Sequence, residues 1–463
     1  MRKLTIALLL IGACAVAAEK PQPVAIRNAK IVTVSGPVIA KGTVVVRNGL
    51  IEAVGENVAV PADAWVVDGE GMTVYPGLID SLSTVGIPGA APAPATTGGR
   101  GGRGATQTPA TPTTATPAAP TTRSMGPEDR PQTTSWLLAA DEIQPTDRRI
   151  ETVRSGGITT AVVFPTRGIF GGQGSILDLI SGEKSGEMVV VPAVGQYIAL
   201  ARGGGFGGGG GGFPGALMGY IAYVRQIYLD ADHYKLVKEA YARDPRGMER
   251  PEYDRALEGV IDSKRILLPA NRLVEIDRML HFAAELKQPT ILYGAREAYR
   301  PEAAELLKKS GTPVLVSVRW PEPPRDANPE DEPSMRTLET WVNAPAAPAA
   351  LRKAGVRFAL YSDGLDQPRD LQRAIKKAID AGLSREDAIR SMTLSAAEIY
   401  GVADRLGSIE KGKIGNLVVT KGDLFDDRTK IEMIFVDGRK YTPAEAPATG
   451  GRGPITDEPG GNR

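Results

Sequence analysis

The sequence offers few side chains for metal or nucleophilic chemistry. It contains two histidines, His233 and His281, and one cysteine, Cys14. Two imidazoles are too few for a histidine-rich zinc or iron centre, and a single thiol excludes a disulfide scaffold or a cysteine-built metal site. The sequence also lacks a Gly-x-Ser-x-Gly elbow and a phosphate loop ending in Gly-Lys-Ser/Thr. The common nucleophilic and phosphate-binding chemistries are therefore not expected.

A short glycine motif, Gly171-Gly172-Gln173-Gly174, is the other candidate for chemistry. Glycine lets backbone amides approach a ligand closely because no Cβ intervenes, and the Gln173 amide would orient that ligand. We therefore expect Gly171, Gly172 and Gln173 to contact a small molecule. The alternative is a tight turn between two structural elements.

Short apolar runs alternate with helical patterns through the middle of the chain. Residues 271–288 place apolar side chains on one helical face, and Asn271 is positioned to cap its start. The runs are typical of buried parallel strands and cover residues 159–164, 188–191, 265–268, 290–293, 314–318 and 358–361. This alternation predicts an α/β fold built on a (β/α)8 TIM-like barrel over residues 75–406.

The two ends of the chain have a different character. They carry short β-rich segments, at residues 24–26, 31–34, 43–46, 51–54, 416–420 and 431–436. Asn48-Gly49 and Asp437-Gly438 predict tight hairpin turns, since these residue types tolerate positive φ. We expect the two ends to pair into one small β-sandwich, formed by residues 19–74 and 407–442.

The composition restricts the class of partner. The chain has 463 residues, with 55 Lys and Arg against 54 Asp and Glu. This balance argues against a nucleic-acid partner and a polybasic membrane-binding surface. Clusters of glycine and proline predict disorder, because they lack the apolar content that offsets the entropy of ordering. These are a low-complexity insert at 88–134, a Gly-rich loop at 203–215 and a tail at 443–463. The first two are either flexible arms over a pocket or tolerated surface insertions.

The N-terminus is typical of an export signal. A basic start precedes an apolar run over residues 4–13, which is shorter than the ~20 residues of a stable membrane anchor. We expect a signal peptide over residues 1–18 and a periplasmic or secreted mature chain with no integral membrane span. The alternative is a lipoprotein anchored through Cys14, because Ile11-Gly12-Ala13-Cys14 resembles a bacterial lipobox.

Several longer motifs are similar to those of one enzyme superfamily. Val74-Tyr75-Pro76-Gly77-Leu78-Ile79-Asp80 resembles the start of the barrel in the amidohydrolase superfamily of metal-dependent hydrolases, which includes imidazolonepropionase-like and dihydroorotase-like enzymes. Residues 355–363 resemble its eighth barrel strand. The family segment that leads back into the sandwich is similar to residues 396–402, 405–413 and 415–419. Motifs of an exported subgroup are similar to residues 156–160 and 171–174.

The resemblance implies hydrolysis of C–N bonds other than peptide bonds, with zinc or another divalent metal as cofactor. It also implies a His-x-His pair after the first barrel strand, where side chains two residues apart point the same way. Leu82 and Thr84 stand at those two positions. Leucine has no lone pair to donate, and a threonine hydroxyl is a poor substitute for imidazole.

The other metal-ligand positions implied by the resemblance also lack nitrogen donors. At the ends of the fourth, fifth and sixth strands the candidate residues are Gln196, Tyr197, Pro269, Tyr293 and Gly294. His233, near the start of a helical segment, and His281 are expected to be solvated surface residues. We therefore expect the chain to bind no metal cofactor.

Asp363 is the one family ligand that the sequence retains. In the family, the eighth-strand aspartate binds metal and takes a proton from the attacking water. A single carboxylate does not define a metal site. Asp363 is therefore either a residual catalytic residue or an aspartate that bonds its own loop or caps a helix.

Two functional hypotheses follow. The first is an exported, catalytically degenerate family member that binds a small-molecule ligand or acts as a partner subunit, in a homo-oligomer or a heteromer with an active homologue. The alternative is an active C–N hydrolase with an atypical site around Asp363. The joint loss of four ligand positions favours the first, since a hydrolase would be expected to retain some nitrogen donors.

Overall fold

The computed structural model describes residues 22–88, 130, 132–182, 184–200, 216–323, 332–426 and 429–443. The predicted signal peptide, Cys14 and the Gly-rich loop at 203–215 lie outside the described residues. Most of the low-complexity insert at 88–134 and all of the tail beyond Pro443 also lie outside them.

Eight strands from the two ends of the chain form one mixed sheet. They are β1 (Val24–Ile31), β2 (Ile39–Arg47), β3 (Leu50–Gly55), β4 (Trp65–Asp68), β5 (Thr73–Pro76), β14 (Leu417–Lys421), β15 (Lys430–Val436) and β16 (Arg439–Tyr441). Their hydrogen-bonded order is β16-β15-β14-β5-β1-β2-β3, with β4 beside β1. Because β14 pairs antiparallel with β5, the two ends of the chain meet in one sheet.

Two of the connections in this sheet are tight hairpins. Asn48 and Gly49 have φ values of 52° and 80°, and Asp437 and Gly438 have 49° and 70°. Positive φ at both central residues matches the twist of the flanking antiparallel strands. The turns join β2 to β3 and β15 to β16, as the residue pairs predict.

A second sheet of eight strands forms a nearly closed barrel. Its strands are β6 (Leu78–Ser83), β7 (Ile158–Val163), β8 (Phe170–Asp178), β9 (Val189–Ile198), β10 (Ile266–Ala270), β11 (Thr290–Gly294), β12 (Val314–Ser317) and β13 (Phe358–Tyr361). They follow one another around the sheet in sequence order. Ser81 Oγ in β6 donates to the Leu360 carbonyl in β13 at 2.6 Å, which brings the two edges together. The predicted mixed α/β barrel architecture is confirmed in outline.

The barrel departs from the predicted all-parallel (β/α)8 arrangement at β8. This strand is antiparallel to both β7 and β9, whereas the other neighbouring pairs are parallel. In the connections on either side of β8, residues 164–169 and 179–188, the described residues form no α-helix. Parallel neighbours need a longer crossover, usually helical, so short connections produce antiparallel pairing. The apolar pattern of the sequence predicts no strand at β8.

Helices follow several of the barrel strands and cover the outside of the sheet. They are α1 (Ala139–Glu142), α2 (Arg148–Ser155), α3 (Leu217–Arg243), α4 (Arg255–Ile261), α5 (Leu273–Leu286), α6 (Pro301–Ser310), α7 (Met335–Asn343), α8 (Ala347–Ala354), α9 (Pro368–Asp380), α10 (Arg385–Ser391) and α11 (Leu394–Tyr400). None of these described helices combines the length and the apolar character that crossing a membrane requires.

The predicted helix at 271–288 is present as α5, with a different start. Its inward face buries Ile276, Met279 and Leu286, as the apolar spacing predicts. Asn271 does not cap it. Instead, the Glu275 carboxylate accepts hydrogen bonds from the backbone N–H groups of Asn271 and Arg272, at 2.9 and 3.1 Å. An acidic side chain in the first turn thus satisfies donors that precede the helix.

Candidate functional site

A pocket opens at the barrel mouth, which is the end of the barrel formed by the carboxyl ends of the parallel strands. It is lined by Leu82, Ser83, Thr84, Thr166, Tyr197, Tyr293, Tyr361, Asp363, Gly364 and Asp366. These residues end or follow five different barrel elements, including β6, β9, β11 and β13. In barrel proteins this end of the strands carries the functional groups, since loop residues there converge on one space.

Asp363 enters the pocket through the turn that follows β13. All four residues of β13 are buried, and so is Ser362 directly after it. Asp363 and Gly364 have φ values of 51° and 77°, so two successive left-handed residues reverse the chain direction. Aspartate tolerates this region better than most residues. The helix-capping alternative for Asp363 is wrong, because α9 begins later, at Pro368 after the N-cap Gln367.

Two donors converge on one oxygen of the Asp363 carboxylate. Ser317 Oγ, at the end of β12, donates to Oδ2 at 2.7 Å, and Nη2 of Arg296 donates to the same atom at 3.3 Å. The side chains of Arg296 and Asp363 are only 9% and 10% exposed. The ion pair is therefore weakly screened by solvent. Within the described part of the chain, no hydrogen bond reaches Oδ1 of Asp363.

Three buried tyrosines form the apolar part of the wall. The Tyr197 and Tyr293 rings stack with centroids 5.4 Å apart, and the Tyr293 hydroxyl donates to the Tyr197 hydroxyl at 3.0 Å. Burial raises the pKa of Tyr197 above its usual value, and it raises the pKa of Tyr293 and Tyr361 further still. All three phenols are therefore neutral at physiological pH.

The residues at the family's first-strand ligand positions do not fit a divalent metal. Leu82 and Thr84 both line the pocket, and Thr84 Oγ1 accepts a hydrogen bond from Nη1 of Arg149 at 3.3 Å. Arg296 brings a guanidinium, which stays charged and offers no lone pair. A divalent ion at Asp363 would face that positive charge at short range, with twice the repulsion that a monovalent cation at the same place would meet. The described residues contain no group of three or more His, Cys, Asp or Glu able to hold a metal ion.

At the ligand positions implied for the fourth and fifth strands, Gln196 and Pro269 have structural roles. Gln196 is fully buried, and its Nε2 donates to the Tyr197 carbonyl at 3.4 Å. Pro269 in β10 lies in register with Tyr293 in β11 and offers no side-chain ligand.

Both histidines lie on exposed helical surfaces. His281 Nδ1 lies 2.9 Å from the Asp277 carbonyl oxygen, one turn earlier in α5, and its side chain is 78% exposed. His233 is exposed on α3, well inside the helix rather than near its start as predicted. Neither contributes to the pocket at the barrel mouth.

Asp80 is a buried carboxylate that sequence reasoning did not single out, although it ends the first family motif. Its Oδ1 and Oδ2 accept hydrogen bonds from Ser362 N and Ser362 Oγ, at 2.9 and 2.6 Å. Burial raises the pKa of Asp80 to about 6, against the effect of these hydrogen bonds. Asp80 therefore fixes the residue immediately before Asp363 and joins the first strand of the barrel to the last.

The glycine motif has a structural setting away from the pocket. Gly171, Gly172 and Gln173 lie in β8, whose residues are all buried, so the motif is not a tight turn. The Gln173 amide donates to the Gly259 carbonyl at 2.9 Å, and its backbone N–H donates to the Leu137 carbonyl at 2.8 Å. None of the three lines the mouth pocket. Contact between these residues and a ligand stays a prediction.

Sequence reasoning did not find Arg296, Ser317 or Tyr361. Ser317 and Tyr361 end strands that the apolar pattern predicts, so a survey of every strand end would have included them. Arg296 is different, because it follows Gly294 and Ala295, which have φ values of 104° and 48°. Nothing in its neighbouring sequence indicates that these two left-handed residues direct it toward the barrel mouth.

Comparison with known proteins places this architecture in one family. The model of the Amidohydrolase family matches residues 281–444. The crystal structure of an amidohydrolase from Thermotoga maritima MSB8 matches with a TM-score of 0.69 and 25% sequence identity, covering 90% of this chain and 99% of that one. The family model thus matches about a third of the chain, and the fold of the whole chain is similar to that of an amidohydrolase.

Two curated relatives are similar to parts of this chain. Adenine deaminase from Moorella thermoacetica is 37% identical over 113 residues, which are 23% of this chain and 18% of that protein. Amidohydrolase tasK from Hapsidospora irregularis is 21% identical over 427 residues, 86% of this chain and 39% of that protein. The chain thus spans less than two fifths of the length of either relative.

Proposed function

We propose that this protein is a catalytically degenerate amidohydrolase that uses its barrel mouth to bind a small molecule, alone or as the partner subunit of an active homologue. The single observation that carries this proposal is the position of Arg296 against Asp363. A permanent cation takes up one oxygen of the only carboxylate that the family would offer to its metal. Arg296 and Ser317 therefore engage Oδ2 of this nearly buried carboxylate from within the protein.

The remaining side chains support the same conclusion. The family's hydrolysis needs a metal-activated water and a polarised carbonyl. Leu82 and Thr84 supply no imidazole, and Thr84 already engages Arg149. The pocket instead presents hydroxyls, phenols and two carboxylates, which are groups that hold a ligand by hydrogen bonds.

The test is the metal content of the purified mature chain, measured by inductively coupled plasma mass spectrometry, together with turnover on amides and dipeptides. We expect far less than one zinc per chain and no turnover above background. Asp370→Asn, on the exposed surface of α9, is the control for Asp363→Asn. Stoichiometric metal, or turnover that Asp363→Asn abolishes and Asp370→Asn does not, would overturn the proposal.

One observation favours the alternative of an active C–N hydrolase. Oδ1 of Asp363 accepts no hydrogen bond from the described residues, and Asp363 lines the pocket. A carboxylate oxygen in that state is able to accept a proton from a water molecule. The turnover assay above separates the two functions, since only the hydrolase loses activity on Asp363→Asn.

Export is the second element of the proposal. It rests on the basic and apolar N-terminal pattern in the sequence. Expression of the full chain in a bacterial host, followed by mass spectrometry of the exported protein, tests it. We expect an N-terminus at Glu19. A diacylglycerol adduct on Cys14 would establish the lipoprotein alternative, and an intact Met1 in the cytoplasmic fraction would reject export.

A further inference from the structure

We infer that the ligand of the barrel mouth is a small organic cation, with an ammonium head group held between Asp363 and Asp366. This inference rests on the proposed function, because it assigns a ligand class to the same pocket. The inference extends the proposed function by stating the charge and the hydrogen-bonding character of that ligand.

The first support is the free oxygen of Asp363. Ser317 and Arg296 both act on Oδ2, which leaves Oδ1 without a hydrogen bond from the described residues. The Asp363 side chain is 10% exposed and lines the pocket, so a molecule in the pocket lies next to it. A nearly buried carboxylate oxygen is stabilised by a donor, most strongly by a charged one.

The second support is Asp366, a further carboxylate in the lining. In the part of the chain that the structure describes, no hydrogen bond or ion pair engages it. Desolvation raises the pKa of Asp366, opposed by the charge of Arg149 and reinforced by that of Asp147. A cation beside Asp366 would offset this cost of burial.

The third support is the remainder of the wall. Tyr197, Tyr293 and Tyr361 add neutral aromatic rings, which attract cations through their faces, and the hydroxyls add acceptors. No arginine or lysine lines the pocket within the described residues. Arg319 is not among the lining residues; its Nη2 donates to the Gly364 carbonyl at 2.9 Å, and its charge opposes the rise in the pKa of Asp366. The wall therefore favours a donor-rich cation over a carboxylate or phosphate.

The size of the pocket limits the head group. The cavity volume is about 40 Å³. A cavity of this size admits a compact ammonium group. The rest of the molecule would extend toward solvent along the tyrosines.

Isothermal titration calorimetry of the full chain tests the inference with n-butylammonium chloride as the probe. Sodium butyrate and n-butanol are the anionic and neutral matches, and calcium chloride is the inorganic cation. We expect saturable binding of butylammonium and no saturable heat from the other three probes. Asp366→Asn should weaken butylammonium binding at least fivefold, while Asp370→Asn on the exposed start of α9 leaves it unchanged.

Saturation-transfer NMR of the wild-type chain gives a readout that does not depend on how a variant folds. Irradiating the tyrosine ring protons should transfer magnetisation to butylammonium and not to butyrate. Equal transfer to both, stronger calcium binding, or an unchanged affinity in a folded Asp366→Asn variant would overturn the inference. A metal-free protein that ignores butylammonium rejects this inference alone, whereas stoichiometric zinc rejects the proposed function.

Discussion

Asn416 and Asp178 meet across the junction between the two sheets: the Asn416 amide donates to Oδ1 of Asp178 at 2.7 Å. The Thr160 hydroxyl donates to the same oxygen at 2.8 Å. Asp178 ends β8 and Asn416 precedes β14, so this buried contact couples the base of the barrel to the terminal sheet. Burial raises the pKa of Asp178 to about 7, and the charge of Asp437 adds to the effect.

We expect the stability of the protein to depend on the protonation of Asp178. The folded-state pKa of about 7 exceeds the ordinary value of 3.8, so the folded state binds the proton more tightly. The free energy of unfolding from this group is therefore highest below pH 4 and falls as the pH rises toward 7. At about 1.4 kcal/mol per pKa unit, the rise from 3.8 to about 7 corresponds to a total loss of roughly 4 kcal/mol.

Asp178→Asn mimics the protonated group and should remove this pH dependence. Urea denaturation at pH 5 and pH 8 measures the effect, and Asp370→Asn on the surface is the matched control. If the slope of stability against pH is the same in Asp178→Asn and wild type, Asp178 does not titrate in this range.

The link between Asp80 and Ser362 gives a second prediction. Ser362→Ala removes a hydroxyl donor from a fully buried carboxylate, so we expect a loss of about 1–3 kcal/mol near neutral pH. The loss should shrink below pH 5, because the pKa of Asp80 is raised to about 6 and the protonated acid tolerates burial. Chemical denaturation at pH 4.5 and 7.5 measures the loss in free energy of unfolding at each pH. An equal loss at both pH values would show that the Ser362 hydroxyl does not act on the ionised Asp80.

The pair formed by Arg296 and Asp363 can be examined by a double-mutant cycle. Arg296→Met leaves Asp363 nearly buried and without its cation, so we expect a loss of about 2–4 kcal/mol. Asp363→Asn in the same chain should restore part of that loss, giving a coupling energy above about 1 kcal/mol. Arg373→Met is the control, since its exposed pair with Asp370 at 3.9 Å contributes little. Additive effects in the cycle would show that the two side chains do not interact.

Gly171 supplies a prediction on the glycine motif. A Cβ at this position would overlap the carbonyl oxygen of Pro165, which is backbone and cannot move aside cheaply. We expect Gly171→Ala to cost about 2–4 kcal/mol, as overpacking of a buried site does. Gly186→Ala is the matched control, because a Cβ there meets nothing within 4 Å. Thermal unfolding compares the two, and equal melting temperatures would show that β8 accommodates the methyl group.

The sequence predicts the positions of the strands and turns better than it predicts which residues meet at the candidate site. Apolar runs locate β7, β10, β11, β12 and β13, because buried strands leave a continuous hydrophobic signal. β8 escapes this signal, since glycines and Gln173 interrupt its apolar residues. Its burial comes from backbone packing against residues 132–138. The pattern of apolar residues in the sequence gives no sign of such packing.

The candidate site is predictable only in part for a related reason. Asp363, Leu82 and Thr84 are found through motifs that are continuous in sequence. The contact between Arg296 and Asp363 joins residues from two different strand ends, and it depends on left-handed backbone at Gly294 and Ala295. Such a pairing is set by tertiary geometry and leaves no local trace in the sequence.

The reversed strand β8 also bears on how the chain assembles. Because β7, β8 and β9 follow one another through short connections, they make a meander whose contacts are local in sequence. Closing such connections costs less chain entropy than bringing β13 to β6 across most of the chain. We expect amide protons in β7–β9 to gain protection first in pulse-labelled refolding, so that this meander serves as the template on which the later strands are added.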